Sequence, residues 1–176
     1  KKHHVSIASV RAGNVVGGGD WAKDRIIPDC IRAIETNKPI EIRSPKAIRP
    51  WQHVLEPLSG YLLLATKMWA EPTKYCEGWN FGPRTESIIP VWEVASKLIQ
   101  DYGKGVLKDV SDPNALHEAN LLMLDISKAK FNLGWKPRTN IDQCCKLVAD
   151  WYKRYQHENV YNLCIEQIKA FLQHEK

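Results

Sequence analysis

The chain has 176 residues, 44% of them apolar, and a formal net charge of +5. That length suits one domain or part of a larger one, and the apolar share is enough for a packed core. The charge is modest and its lysines and arginines are scattered, which argues against a nucleic-acid partner; no run is long or apolar enough for a membrane span or signal peptide, so no membrane partner is expected.

The five cysteines are odd in number, lack a C-x-x-C spacing, and include the adjacent Cys144-Cys145. They read as reduced cytoplasmic thiols rather than a disulfide framework or zinc site, so no metal ligand set is assigned. At the start, His3-His4 could be a metal site or a tag remnant and reads best as a solvated strand entry. The chain enters a strand at once, with no cap before it, which suggests that an N-terminal portion is missing.

The apolar run Val5 to Val10 predicts a buried strand, extended to about residue 16. It leads through Asn14 into Gly17-Gly18-Gly19-Asp20-Trp21. Glycines there allow positive φ and close approach to a ligand, and in parallel α/β folds ligands sit at strand ends. An ordinary flexible loop explains them equally well. Apolar positions at helical spacing predict a helix from about Asp24 or Ile27 to Thr36, with Pro28 in its first turn and Asp24 as a capping residue. Arg25 would lie near the helix N-terminus, where a phosphate is well placed, or form a surface ion pair.

Ile40 to Arg43 alternates as a short strand. Residues 44–54 then gather Lys46, Arg49, Trp51 and His53 in a stretch too proline-punctuated for a helix. Arginine suits a diphosphate and tryptophan can wall a sugar or base pocket, while exposed basic residues around a core tryptophan are the plain alternative. His53 alone reads as a hydrogen-bonded structural residue.

Leu55 to Ala70 predicts a helix whose apolar face is Leu58, Tyr61-Leu62, Ala65 and Met68-Trp69. Gly78 to Phe81 reads as a strand ending in a Gly-Pro turn, with Asn80, Arg84 and Thr85 near its end. Pro90 to Tyr102 predicts an amphipathic helix stopped by Gly103, and Val106 to Val110 a strand. Asp112-Pro113-Asn114 is a turn. His117-Glu118 is not a zinc-protease motif, because Leu121 occupies the second histidine position. Ile126 to Leu133 reads as a short helix, Asn140 to Tyr155 as a strong one, and Tyr161 to Leu172 as a final helix loosely docked at best.

Four blocks together carry a resemblance: Arg11-Ala12-Gly13-Asn14 through Trp21, Asp24 to Pro28, Arg49 to Leu58, and Trp79 to Pro83, with Leu133 to Pro137 as a later sign. From about Val5 to Tyr155 the chain resembles the nucleotide-sugar branch of the extended short-chain dehydrogenase/reductase family, and within it the 4,6-dehydratases. The family's G-x-x-G-x-x-G turn and Tyr-x-x-x-Lys pair are absent from this sequence. The resemblance therefore implies a C-terminal half: an α/β fold made of the last part of a Rossmann-type parallel sheet plus a small mixed α/β substrate-binding lobe, residues 1–176 forming one partial domain without the NAD-binding half.

For a complete enzyme the resemblance implies NAD as cofactor and CDP-glucose as substrate. Hydride leaves C4, the 4-keto group acidifies C5, water is lost across C5 and C6, and hydride returns to C6. This half would hold the CDP portion. By the resemblance, Asn14 and Arg49 bind the diphosphate, Arg25, Ile27 and Arg43 line the nucleotide pocket, Trp51 and His53 shape it, and Ala12 faces the nicotinamide. No catalytic residue is assigned. A homo-oligomer built through the missing half is implied for the full-length protein. An epimerase or dehydratase of another nucleotide sugar, or a non-catalytic nucleotide-binding module, remain open.

Overall fold

The computed structural model describes residues 5–113 and 121–173. His3-His4, Asn114 of the expected turn and His117-Glu118 lie outside them. The elements in order are strands β1 (Ser9–Ala12) and β2 (Asn14–Val16), helix α1 (Ile26–Glu35), strands β3 (Ile40–Ile42) and β4 (Ile48–His53), helix α2 (Leu55–Ala70), strands β5 (Gly78–Phe81) and β6 (Ile88–Pro90), helix α3 (Val91–Tyr102), strand β7 (Leu107–Asp109), a π-helical turn at Ala129–Leu133, and helices α4 (Ile141–Arg154) and α5 (Val160–Gln173).

The single strand expected over 5–16 is two strands in two sheets. β1 pairs parallel with β5, and β2 pairs parallel with β4, which also carries β6 antiparallel. β3 and β7 form a separate parallel pair. The switch occurs at Gly13, whose N–H still donates to Phe81 O. A Cβ there would sit 2.5 Å from Pro50 O, so only glycine lets the chain cross between the sheets at this point. The expected burial of Val5 to Val10 also fails. Val5, Ile7 and Val10 are exposed, because β1 has β5 on one edge and no described strand on the other.

The main core joins α1, α3 and α4 over β2, β3 and β4. It buries Ile27, Cys30, Ile31, Leu98, Val148 and Tyr152. Local signals explain the helices. α3 starts after Pro90 and ends at Gly103 in the left-handed conformation (φ 91°). α4 has a full capping box between Asn140 and Gln143. α1 departs from expectation at its start. Arg25 is the N-cap residue, with no side-chain cap, and Asp24 (φ 61°) gives its carboxylate to Arg43. α5 is firmly attached, not loosely docked. Leu163 and Phe171 are buried, Gln167 Nε2 donates to Leu147 O, and Arg154 of α4 bonds Glu166.

A second core forms around Phe81, Trp79, Tyr75, Leu64, Leu133 and Trp135. Here the expected face of α2 is only partly inward: Tyr61 and Met68 pack against this core, but the rest of that face does not. Glu56, Pro57, Gly60 and Leu64 are buried, and Leu58, Leu62 and Trp69 are exposed. Gly60 decides the orientation. A Cβ there would be 2.2 Å from Phe81 Cδ1, so the helix rests its glycine on that ring.

Candidate functional site

Three of the proposed ligand residues, Ala12, Asn14 and Arg49, lie on the strands at the switch. Ala12 ends β1 opposite Phe81, and Asn14 begins β2 opposite Trp51. Arg49 lies two residues before Trp51 on β4 and so belongs to the same face as Asn14. Both side chains are half-buried. Arg49 Nη1 also donates to Ile48 O at 2.9 Å.

Trp51 fixes this strand. Its ring is 4% exposed and Nε1 donates to Ile89 O at 3.1 Å, tying β4 to β6. It is therefore a core residue, and its ring is not an open pocket wall. His53 is also internal, at 2% exposure, with Nδ1 accepting from Leu55 N at 3.4 Å. Burial pushes its pKa down to about 4, so the ring is neutral near pH 7. It carries no imidazolium charge at that pH, and with Nδ1 accepting, its one ring proton is on Nε2. The Ile27 side chain packs in the main core, where only its backbone could meet a ligand.

Arg25 and Arg43 are brought to one loop. Arg25 lies 4.0 Å from Asp20, and Arg43 Nη2 donates to Asp24 Oδ1 at 2.8 Å. Both guanidiniums are largely exposed, beside the N-terminus of the ten-residue α1. Such a group of cations and helix amides can receive an anion.

The triple glycine has a packing explanation. A Cβ on Gly17 would meet Val54 at 2.8 Å, and one on Gly18 would meet the Trp151 ring at 2.1 Å; Gly19 has φ 80°. The following turn is locked by Tyr152 OH donating to Asp20 O and by Arg32 donating to Trp21 O and Ala22 O. Trp21 completes an aromatic cluster with Tyr152 and Tyr155.

Two further features escaped sequence reasoning. Glu56 is 1% exposed, and its carboxylate accepts from Arg138 N, Thr139 N and Thr139 Oγ1. A cleft of about 700 Å³ lies beyond the end of β5, walled by Arg84, Glu86, Met123, Asp125, Lys130 and Lys136 among others, and none of the expected ligand residues lines it. Arg84 grips the far wall by donating to Pro137 O and Arg138 O.

The buried thiols are poor nucleophiles. Burial, with Asp29 nearby, raises Cys30 to about 12; burial, with Asp101 nearby, does the same to Cys145; burial also pushes Cys144 well up. Among the described residues no group of three or more His, Cys, Asp or Glu could hold a metal ion, and no helix is long and apolar enough to cross a membrane. The arrangement can bind an anionic ligand.

No protein-family model matches the chain. It is 48% identical over 155 residues to CDP-glucose 4,6-dehydratase of Salmonella typhimurium, covering 88% of this chain and 43% of that protein. It is 28% identical over 112 residues to UDP-glucose 4-epimerase 3 of Oryza sativa subsp. japonica, covering 64% of this chain and 29% of that one. Among solved structures, UDP-glucuronic acid 4-epimerase from Bacillus cereus, in complex with UDP-glucuronic acid and NAD, superposes with a TM-score of 0.69 at 20% identity, over 86% of this chain and 46% of that one. The dTDP-glucose 4,6-dehydratase of Bacillus anthracis, in complex with NAD, gives 0.68 at 19% identity, over 89% and 47%. The fold is thus the mixed α/β fold with parallel strands found in these enzymes, and the resemblance seen in the motifs holds along most of the chain. The chain spans less than half the length of the relatives it matches.

Proposed function

We propose that this chain is the nucleotide-sugar-holding part of an NAD-dependent CDP-glucose 4,6-dehydratase. The observation that carries this is the 48% identity to the Salmonella enzyme over 88% of the chain. The geometry supports it: Asn14 and Arg49 share one face of adjacent strands at the switch between sheets, where open α/β folds take their ligands.

Asn14 and Arg49 hold the diphosphate. Arg25 and Arg43 approach the nucleotide from the loop before α1 and from the end of β3, exchanging their ion pairs for phosphate or polar groups of the base. Ile27, Trp51 and His53 act from beneath, with Trp51 fixing the strand that carries Arg49. Ala12 is small, half-buried and last in β1, which fits a residue beside a nicotinamide. Gly17 and Gly18 are filled by Val54 and Trp151, so they do not form a dinucleotide cradle, and most of the grip on NAD comes from residues outside this chain. NAD, when bound, supplies the hydride acceptor; the chain's own residues bind and orient the sugar nucleotide. The whole protein works in the cytoplasm as a homo-oligomer, where the five cysteines of this chain stay reduced.

Calorimetric titration of the full-length protein with CDP-glucose tests the assignment. Arg49→Ala weakens binding by about 1.5–3 kcal/mol, the worth of a hydrogen bond to a charged group. Unchanged affinity removes Arg49 from the site. The isolated chain yields no 4-keto product from CDP-glucose and NAD. Because UDP-glucose 4-epimerases also match the chain, CDP-, UDP- and dTDP-glucose belong in the same titration; preference for UDP-glucose overturns the choice of substrate.

A further inference from the structure

The block Arg49 to Leu58 contains a buried polar residue that the nucleotide site does not use. Gln52 sits on β4 at 2% exposure, between Trp51 and His53, and by strand alternation faces away from Arg49. Its Nε2 donates to Phe81 O at 2.9 Å. The same carbonyl accepts from Gly13 N at 3.3 Å. One oxygen at the end of β5 therefore joins β4 to the residue at which the chain crosses between sheets.

The orientation of the amide follows from its chemistry. A carbonyl oxygen only accepts, so the Gln52 nitrogen must face Phe81. That leaves Gln52 Oε1 buried with no partner among the described residues. Burying an acceptor without a donor is unfavourable, and a methionine or leucine would fill the same space without that penalty. What glutamine adds here is the reach of its nitrogen. The Gly13 bond is long, and Gly13 has no side chain to restrict its backbone. Gln52 lies opposite Val15 on β2 and braces the carbonyl that holds Gly13, one residue before Asn14.

We propose that Gln52 is a positioning residue: through the Phe81 carbonyl it fixes Gly13 and so sets Asn14 where it meets the diphosphate. This rests on the nucleotide-sugar reading above and adds a residue that acts on the ligand without touching it. Arg49 does not depend on the brace, because Trp51 ties β4 to Ile89 O through its own hydrogen bond.

A double-mutant cycle in the full-length protein, read by CDP-glucose calorimetry, tests the assignment. Gln52→Met alone weakens binding about tenfold, but added to Asn14→Ala it weakens binding by no more than about twofold further, because the group it positions is already gone. Added to Arg49→Ala, it keeps its effect of about tenfold. A residue that only stabilises the fold would act equally on both backgrounds. Unchanged affinity in Gln52→Met, or equal effects beside Asn14→Ala and Arg49→Ala, overturns the proposal. Gln52→Leu repeats the cycle should Gln52→Met not fold; loss of folding in both makes Gln52 a structural residue and equally overturns it. Amide hydrogen exchange in the ligand-free protein separates this inference from the functional reading. Gln52→Met speeds exchange at Gly13 about tenfold and leaves Val54, whose N–H donates to Val16 O, unchanged. Faster Gly13 exchange in a protein that binds no sugar nucleotide keeps the brace and removes the reading. CDP-glucose binding with unchanged Gly13 exchange does the reverse.

Discussion

The two cores of this molecule are built from similar parts and finished to different degrees. The core over β2, β3 and β4 is closed by α1, α3 and α4, and Leu98 and Val148 are wholly buried within it. The core around Phe81 has α2 and the Ala129–Leu133 turn against it, yet α2 turns Leu62 and Trp69 to solvent and β1 has one partner strand among the described residues. Burial is therefore not a property of the helix sequence alone. The same apolar content is buried in one region and partly exposed in the other. Asn14 and Ala12 lie on either side of Gly13, where the two regions meet.

Glu56 is the strongest link between them, and its loss gives the largest expected effect. It sits in the first turn of α2 and receives three donors from Arg138 and Thr139, just before α4. Glu56→Ala leaves those donors buried without an acceptor and costs about 3–5 kcal/mol in urea denaturation. Glu56→Gln keeps an oxygen acceptor and costs less. Equal losses for the two would mean that the carboxylate's charge, not its accepting geometry, holds the junction.

The closed core should also respond to acid through His53. Its folded pKa is about 4 against an ordinary 6.5. Below pH 6.5 the unfolded chain binds a proton that the folded protein refuses, so stability falls as pH drops and the loss from this group levels off near pH 4. The contribution is about 1.4 kcal/mol per pH unit and at most roughly 3 kcal/mol in total. An NMR titration checks it directly: the His53 ring resonances stay constant from pH 8 to about pH 5. A midpoint near 6.5 would show that water reaches the ring and that the core is looser than its packing indicates.

Local signals were legible in the sequence and distant ones were not. Gly103 announced the end of α3, because caps act within a few residues; the Asn140/Gln143 capping box of α4 is equally local but went unread. The face of α2 was misread because both sides are apolar, and the deciding contact, Gly60 on Phe81, lies across the fold. Glu56 gave no signal, since its partners are far along the chain. That Asn14 and Arg49 share a face depends on strand register, which periodicity does not fix; the binding role proposed for them rests on the family motif. Gly17-Gly18-Gly19 suggested ligand approach for the same reason: Trp151, which fills the space over Gly18, is visible only once α4 is folded against it.

Two glycines offer the finest comparison of the regions. Gly18 lies under Trp151 beside the closed core and Gly60 under Phe81 beside the open one, and a Cβ at either would collide with a ring at 2.1 or 2.2 Å. In Gly18→Ala, Trp151 is stacked on Tyr155 and edge-on to Tyr152, so it has little room to yield. The cost is about 2–3 kcal/mol of overpacking. In Gly60→Ala, α2 can lift toward its uncovered side, and alanine returns nearly 1 kcal/mol of helix propensity, leaving a net cost below about 1 kcal/mol. Chemical denaturation of the two variants reads the difference. Equal costs would mean that α2 is held as rigidly as α4, which its exposed stripe argues against.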